Sequence, residues 1–153
     1  LGAFAERLRF SAYLAFIAIW LFVVYIPLAH MVWGGGWIGS QLGALDFAGG
    51  LVVHMSSGFS ALVACIVIGP RLGHGRDPMP PNSLPYAMIG ACLLWVGWFG
   101  FNAGSALAAD GVAALALVTT NLAAAAAMVT WVILQRMTHN RPSAAGAAIV
   151  IVV

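Results

Sequence analysis

Two side chains that can hold or exchange a proton stand in the most apolar part of this sequence. Asp46 and His54 begin and end the segment Asp-Phe-Ala-Gly-Gly-Leu-Val-Val-His, and no other residue between Asp46 and Arg71 carries a charge. An ionisable group inside a long apolar segment is costly to bury and is a functional candidate by default. An imidazole can relay a proton near neutral pH, whereas a carboxylate here also suits a helix N-cap. The two roles of Asp46, cap and functional acid, can hold together.

The composition is that of a membrane protein. The 153 residues have a mean hydropathy of +1.01, with 63% hydrophobic and 7% charged residues, whereas a soluble domain carries about 25% charge. The net charge of +2 comes from scattered arginines and does not indicate nucleic-acid binding. We interpret Cys65 and Cys92, both in apolar spans, as small buried residues and not as a disulfide or metal pair. The chain opens without Met and stops inside an apolar run, so we expect an internal part of a longer protein.

The hydropathy pattern predicts an all-α membrane protein, a polytopic helix bundle with one transmembrane domain over residues 1–153. The first four predicted spans are long enough to cross ~30 Å of hydrocarbon. The predicted helices cover residues 8–28, 46–68, 85–102, 112–134 and 142–153, the last of them truncated. The tryptophans and glycines at 33–37 lie between two spans, where they suit a membrane interface.

The basic residues predict an orientation. There is no lysine, and all six arginines fall in alternate connections, at positions 7, 9, 71, 76, 136 and 141. The positive-inside rule places the start of the chain in the cytoplasm. The second span then enters from outside at Asp46, and His54 lies ~12 Å deeper, near the midplane. Trp98, Phe101 and Ser105 are spaced i, i+3, i+7, which is one face of a helix that continues that far.

A dense series of motifs is similar to one family. The motifs include Ala5-Glu6-Arg7, the glycine-rich segment 26–36, the segment 45–54 and Gly-Trp-Phe-Gly-Phe-Asn-Ala-Gly-Ser-Ala at 97–106. In this order and nearly this spacing they resemble the Amt/Mep/Rh ammonium transporters, and Trp33 favours the Amt branch. The resemblance implies an eleven-helix fold that forms trimers with one pore per subunit. This chain would cover helices four to seven and the start of helix eight.

The resemblance also implies an outer site and a gate. Trp33 and Ser105 correspond to part of the outer site where ammonium is first held. A tryptophan face attracts a cation by ~0.5–2 kcal/mol, and a hydroxyl oxygen accepts a hydrogen bond from it. Phe101 corresponds to one of the two stacked phenylalanines that close the pore beneath that site. Trp37 is better explained as an interface anchor.

Deeper in the pore, the resemblance implies a proton relay. His54 corresponds to the first of two pore histidines, and Trp98 to the aromatic that packs near that pair. Asp46 corresponds to the buried acid that shapes the outer vestibule without touching substrate. Independently of the family, Asn102 is interpreted as structural, bonding free backbone groups at a helix end.

The chain also departs from the family pattern. The connection between Trp33 and Asp46 looks about one residue longer than usual, and the segment 147–150 is more aliphatic than the small-residue run expected there. The second pore histidine and the partner phenylalanine of the gate lie outside this chain.

These observations favour a transporter that moves ammonium, or ammonia plus a proton, without enzymatic activity, cofactor or metal. The alternative is an ammonium sensor that uses the same scaffold to signal to a partner or a fused domain. A membrane haem protein with His54 as axial ligand is disfavoured, because the other histidines lie in connections. The resemblance implies a homotrimer in the cell (inner) membrane, with a cytoplasmic PII-type protein as a partner. The protein would be embedded in the lipid bilayer, and its substrate would be ammonium or ammonia.

Overall fold

Helices and turns make up the part of the chain that the structure describes. The computed structural model describes residues 2–151, and no strand occurs in that range. The α-helices are α1 (Phe10–Trp20), α2 (Ile26–Val32), α3 (Trp37–Ser40), α4 (Ser56–Ile68), α5 (Leu84–Trp98), α6 (Gly111–His139) and α7 (Ala144–Ile151). They fall into two compact units, one up to Met79 and one from Pro80. Residue 1 and residues 152–153, which the predicted domain includes, lie outside the described part of the chain.

Three π-helical stretches continue the α-helices beside them. They are Leu21–Tyr25, Gly50–Met55 and Phe99–Ala103. The first precedes Pro27 in the opening turn of α2. A proline lacks an N–H, and its ring crowds the carbonyl four residues earlier, so a widened turn there relieves the conflict. The helix consequently continues to Val32, past residue 28, where hydropathy alone ends the first span.

Two hydrogen bonds, at different positions along the helices, join α1 and its approach to α4 and its end. The Trp20 indole N–H donates to the Ser60 hydroxyl at 2.8 Å. Before α1 begins, the Arg7 guanidinium donates to the Gly69 carbonyl, just after α4 ends. Because a late residue of α1 meets an early residue of α4 and the opposite ends also meet, the two helices run antiparallel.

The second unit contains a capped helix, α6, and a close contact between α6 and α7. Asp110 caps α6, its carboxylate accepting from the N–H groups of Val112 and Ala113, each at 3.0 Å. At the other end of α6, the Gln135 amide oxygen accepts from the Ser143 N–H at 2.9 Å, just before α7. A Cβ atom on Gly146 would lie 2.5 Å from the Trp131 indole nitrogen. Glycine therefore permits the close approach of α7 to α6.

Four helical stretches are long and apolar enough to cross a membrane: Phe10–Ser40, Gly50–Ile68, Leu84–Ala106 and Gly111–His139. Large apolar side chains are exposed along them, including Phe22 at 68%, Val67 at 78% and Val96 at 66%. Contiguous apolar surface of this kind marks contact with a membrane or with other protein. The prediction of an all-α integral membrane protein is confirmed.

Candidate functional site

The carboxylate of Asp46 caps the helical segment that carries His54. One carboxylate oxygen accepts from the Gly49 N–H at 2.7 Å. The other accepts from the N–H groups of Leu51 at 3.0 Å and Val52 at 2.9 Å. The first N–H groups of a helix lack partners within the helix, and a carboxylate there also meets the positive end of the helix dipole. The Asp46 carboxylate thus caps the helix from a position before it, whereas the N-cap residue itself, which we expected to be Asp46, is Gly49.

These contacts determine the charge state of Asp46, which lies between the membrane-spanning stretches. Partial burial of the carboxyl group raises its pKa. The hydrogen bonds from the backbone N–H groups of Val52, Leu51 and Gly49, with a smaller effect of the nearby Gly50 N–H, oppose the effect of burial and outweigh it, so the pKa of Asp46 lies below its usual value of 3.8. The group is therefore an anion at neutral pH.

The same residue holds Trp33 through its backbone. The Trp33 indole N–H donates to the Asp46 carbonyl at 2.7 Å, while 47% of the tryptophan remains exposed. Gly49 completes the turn with φ at +95°, a conformation that favours glycine. A Cβ atom on Gly49 would lie 2.7 Å from the Val53 side chain and 3.6 Å from the Trp33 ring. Trp33, Asp46 and Gly49 therefore form one tightly fitted turn, which fixes the indole ring.

His54 lies in the π-helical stretch Gly50–Met55. The Gly49 carbonyl accepts from both Val53 N at 2.8 Å and His54 N at 3.0 Å, which is the signature of a widened turn. Such turns are frequent at functional sites. Val52 is fully buried, whereas His54 is exposed on another side of the same turn. Because the helix begins at Gly50 and not at Asp46, its rise to His54 is about 6 Å, half of the ~12 Å that a helix starting at Asp46 predicts.

The second unit contributes an aromatic pair. The ring centroids of Trp98 and Phe101 are 4.7 Å apart, with the ring planes tilted by 51°. Aromatic pairs prefer separations of about 4.5–7 Å. Ser105 follows on the same helical path, and its hydroxyl donates to the Phe101 carbonyl at 2.7 Å. The helical path does continue through Ala106, but it is π-helical over Phe99–Ala103 and 3-10 over Gly104–Ala106, so the α-helical spacing on which the prediction of one face depends does not hold there.

Asn102 fastens this stretch to the next helix. Its side-chain amide donates to the Thr120 hydroxyl on α6 at 3.1 Å. This partner is a side chain and not the backbone group that we expected of Asn102. Thr120 itself was missed by the sequence reasoning. The available signal was the run Thr119-Thr120-Asn121 in the middle of an otherwise apolar span.

The sequence-predicted residues thus fall into two groups. Trp33, Asp46 and His54 lie in the first unit, and Gly49 joins them as a residue to which the sequence alone assigned no role. Trp98, Phe101, Asn102 and Ser105 lie on one helical stretch of the second unit.

A family model described as the Ammonium Transporter Family matches residues 1–152. This chain belongs to the ammonium transporter family. The ammonium transporter of Bacillus subtilis is 53% identical to it over 146 residues, covering 95% of this chain and 35% of that protein. Ammonium transporter Amt1 of Archaeoglobus fulgidus is 54% identical over 133 residues, covering 87% of this chain and 34% of that protein.

Solved structures of the family share the fold of this ammonium transporter chain. Mep2 of Saccharomyces cerevisiae matches with a TM-score of 0.88 at 36% identity, over 99% of this chain and 34% of that one. Mep2 of Candida albicans matches with a TM-score of 0.86 at 41% identity, over 96% and 33%. The chain therefore spans about a third of the length of these relatives. The predicted family membership is confirmed.

Replacing Thr120 tests the bond that fastens the aromatic stretch of the ammonium transporter chain. We expect Thr120→Val to lower the free energy of unfolding by about 0.5–1.5 kcal/mol, because the Asn102 amide loses its acceptor. Thr119→Val is the matched control, since the Thr119 hydroxyl bonds only carbonyls of its own helix, at 2.9 and 3.2 Å. Unfolding of the complete protein in mixed detergent micelles measures both. Equal effects of the two substitutions would contradict a role for the bond between the helices.

Proposed function

We propose that the complete protein moves ammonium across the membrane, and that deprotonation makes the passage selective. In this proposal the present chain supplies a tryptophan that holds the cation, an aromatic barrier and a histidine that relays the proton. Family membership supports ammonium as the substrate. The observation that carries the proposal is the setting of Trp33. Its N–H is bonded to the Asp46 carbonyl, so the indole offers its π face, which attracts cations, and not its donor, which repels them.

Trp33 and Ser105 would each hold the ammonium ion by a different interaction. Attraction to a tryptophan face contributes ~0.5–2 kcal/mol. The Ser105 hydrogen is donated to the Phe101 carbonyl, and its oxygen therefore keeps lone pairs that can accept a hydrogen bond. Ammonium has N–H groups to donate to that oxygen. Both interactions favour a cation at the entrance, and neither by itself separates ammonium from potassium.

Selectivity would arise beyond Phe101. A bare ion that passes an apolar constriction loses its hydration, at a cost of several kcal/mol. Ammonium can avoid that cost by leaving its proton behind, whereas potassium cannot. A neutral ammonia molecule passes the aromatic side chains, and the imidazole of His54 takes up the proton and passes it on, as histidine side chains do in proton shuttles. Transport then requires a proton relay and an apolar path together.

Removing the Trp33 ring tests the capture step. We expect Trp33→Leu to raise the half-saturating ammonium concentration by about two- to thirtyfold, the equivalent of the lost ~0.5–2 kcal/mol. Trp33→Phe keeps an aromatic face and should lie between the leucine variant and wild type.

Trp37→Leu is the matched control for Trp33, because Trp37 is similarly exposed, at 51% against 47%, and has been interpreted as an interface anchor. Concentration series of ammonium-evoked current in proteoliposomes give the values. A similar shift for Trp33→Leu and Trp37→Leu would assign Trp33 to anchoring and remove the capture step.

The proposal includes how the protein assembles and which side of the membrane the start of the chain faces. The family resemblance supports a homotrimer in the cell membrane, and the alternating arginines support a cytoplasmic location for the start of the chain. In the first unit Arg7 contacts the Gly69 carbonyl, so the start of the chain and the loop that carries Arg71 and Arg76 share one end. That loop would face a cytoplasmic PII-type partner.

The function as a whole is tested with the complete protein in proteoliposomes on a solid-supported membrane. Transport predicts a saturable current evoked by ammonium and not by potassium. Absence of current together with measurable ammonium binding would overturn transport and favour the sensor, the alternative use of the same scaffold.

A further inference from the structure

A polar pocket lies at the end of the first unit where α1 begins and α4 ends. It encloses about 670 Å³ and includes Arg7, Arg71, His74 and Glu6 among its lining residues. Arg7 donates to the backbone carbonyls of Ala3 and Gly69. Arg71 pairs with Glu6, and its side chain is 41% exposed. Two guanidinium groups against one carboxylate leave this pocket with a positive charge that nothing else in its lining neutralises.

An apolar groove adjoins the polar pocket. It encloses about 560 Å³ and shares Phe4 with the pocket. One wall of the groove is a face of α1, and the opposite wall is a face of α4. The lining includes Leu8, Ala12, Phe16, Trp20, Phe59, Val63 and Val67. A positively charged pocket therefore lies next to an apolar groove between the two helices, and the buried Phe4 lines both.

The length of the groove corresponds to one leaflet of a bilayer. Trp20 lies ten residues after the start of α1, an axial rise of ~15 Å, and Ser60 lies eight residues before the end of α4, a rise of ~12 Å. The hydrogen bond between these two side chains joins the helices at that depth. Half of a hydrocarbon core is also ~15 Å. A transmembrane helix would need a groove about twice as long.

We propose that this site binds one anionic phospholipid, with the phosphate in the polar pocket and one acyl chain in the apolar groove. The charge of the pocket complements a phosphodiester, and arginine offers donors that suit phosphate oxygens. Basic pockets between membrane helices are a recognised setting for anionic headgroups. The site lies within the first unit and takes no part in the proposed passage of ammonium. Bound lipid would brace α1 against α4.

The headgroup is tested with the complete, delipidated protein by native mass spectrometry. Phosphatidylglycerol and phosphatidylcholine with identical chains are titrated separately. We expect wild type to prefer phosphatidylglycerol, and Arg71→Ala to weaken its binding about fivefold, the equivalent of ~1 kcal/mol for one basic residue at a membrane surface. Arg76→Ala is the matched control, an arginine of the same loop that does not line the pocket. Equal binding by the two variants would overturn the headgroup assignment.

The acyl chain is tested by filling the groove. Ala12 lines it, whereas Ala15 is exposed elsewhere on α1. We expect Ala12→Leu to reduce binding of both lipids, and Ala15→Leu to leave it unchanged. Inorganic phosphate should fail to displace phosphatidylglycerol, because it lacks the chain. Complete displacement by phosphate would indicate a plain anion site, and no lipid retention by wild type would indicate that other helices fill the groove; either result overturns the proposal.

Discussion

Alanine at position 54 is expected to reduce the ammonium-evoked current of the complete protein at least a hundredfold, by analogy with the ~10²–10⁴-fold contribution of a positioned proton-transfer group. Without the imidazole, a proton removed from ammonium has no carrier through the apolar part of the span. The structure places His54 on a widened turn, exposed, while Val52 on the same turn is fully buried. The buried valine fixes the turn, so the loss of current would follow from the missing imidazole and not from a displaced helix.

His139→Ala is the matched control, because that histidine is exposed at the last position of α6. It should retain the wild-type current. His54→Gln separates a relay from a polar lining, since glutamine forms hydrogen bonds but does not accept a proton near neutral pH. We expect it to be as inactive as alanine.

Potassium supplies a further test of His54→Ala. If the substitution lets water enter, a potassium current should appear that wild type lacks, because an ion can then cross without shedding its hydration. An unchanged ammonium current in His54→Ala, still selective against potassium, would overturn the relay. A substantial current in His54→Gln would show that His54 provides polarity alone.

The features that the sequence predicts best are the membrane-spanning helices, because the bilayer restricts what structure such segments can adopt. A span must cover ~30 Å with its backbone groups paired internally, so apolar stretches of the right length can only be helices. The specific motifs then identified the family and, with it, every residue assigned to the passage. Hydropathy also predicted that Trp98 and Phe101 lie on one helical stretch, and that stretch continues through Ser105.

Other features depend on interactions that hydropathy does not encode. The widened turn below His54 arises from two N–H groups that share the Gly49 carbonyl, a choice between nearly equal hydrogen-bond patterns. The bond from Trp33 to Asp46 joins residues 13 positions apart through an irregular connection, whose path no periodicity describes. The Asn102 amide donates to the Thr120 hydroxyl on α6, a contact between residues 18 positions apart that depends on how the two helices pack.

Replacing Asp46 is expected to have a large effect, because its carboxylate accepts hydrogen bonds from three backbone N–H groups. In Asp46→Ala the N–H groups of Gly49, Leu51 and Val52 all lose their acceptor. Each such hydrogen bond contributes about 0.5–1.5 kcal/mol net to stability. We expect the free energy of unfolding to fall by about 2–4 kcal/mol, and transport to be lost as the turn that holds Trp33 loosens.

Asp110→Ala is the matched control, since that carboxylate also caps a helix but serves two donors at an exposed site. It should cost about 0.5–2 kcal/mol, as helix caps commonly do, and leave transport intact. Asp46→Asn keeps one acceptor oxygen and should recover part of the stability. If Asp46→Ala transported ammonium with wild-type affinity, Asp46 would be a cap alone, without influence on the capture of the cation.

The pH dependence of unfolding tests the charge on Asp46 directly. Burial raises the pKa of this carboxyl, yet the backbone donors lower it further, so its folded-state value lies below the usual 3.8. A lowered pKa in the folded state stabilises the protein above the usual value, and this stabilisation disappears as the pH falls through the folded-state value. Wild type should therefore lose stability more steeply than Asp46→Asn as the pH drops below 3.8. Parallel curves for the two proteins would mean that the Asp46 carboxylate contributes to the turn by shape and not by charge.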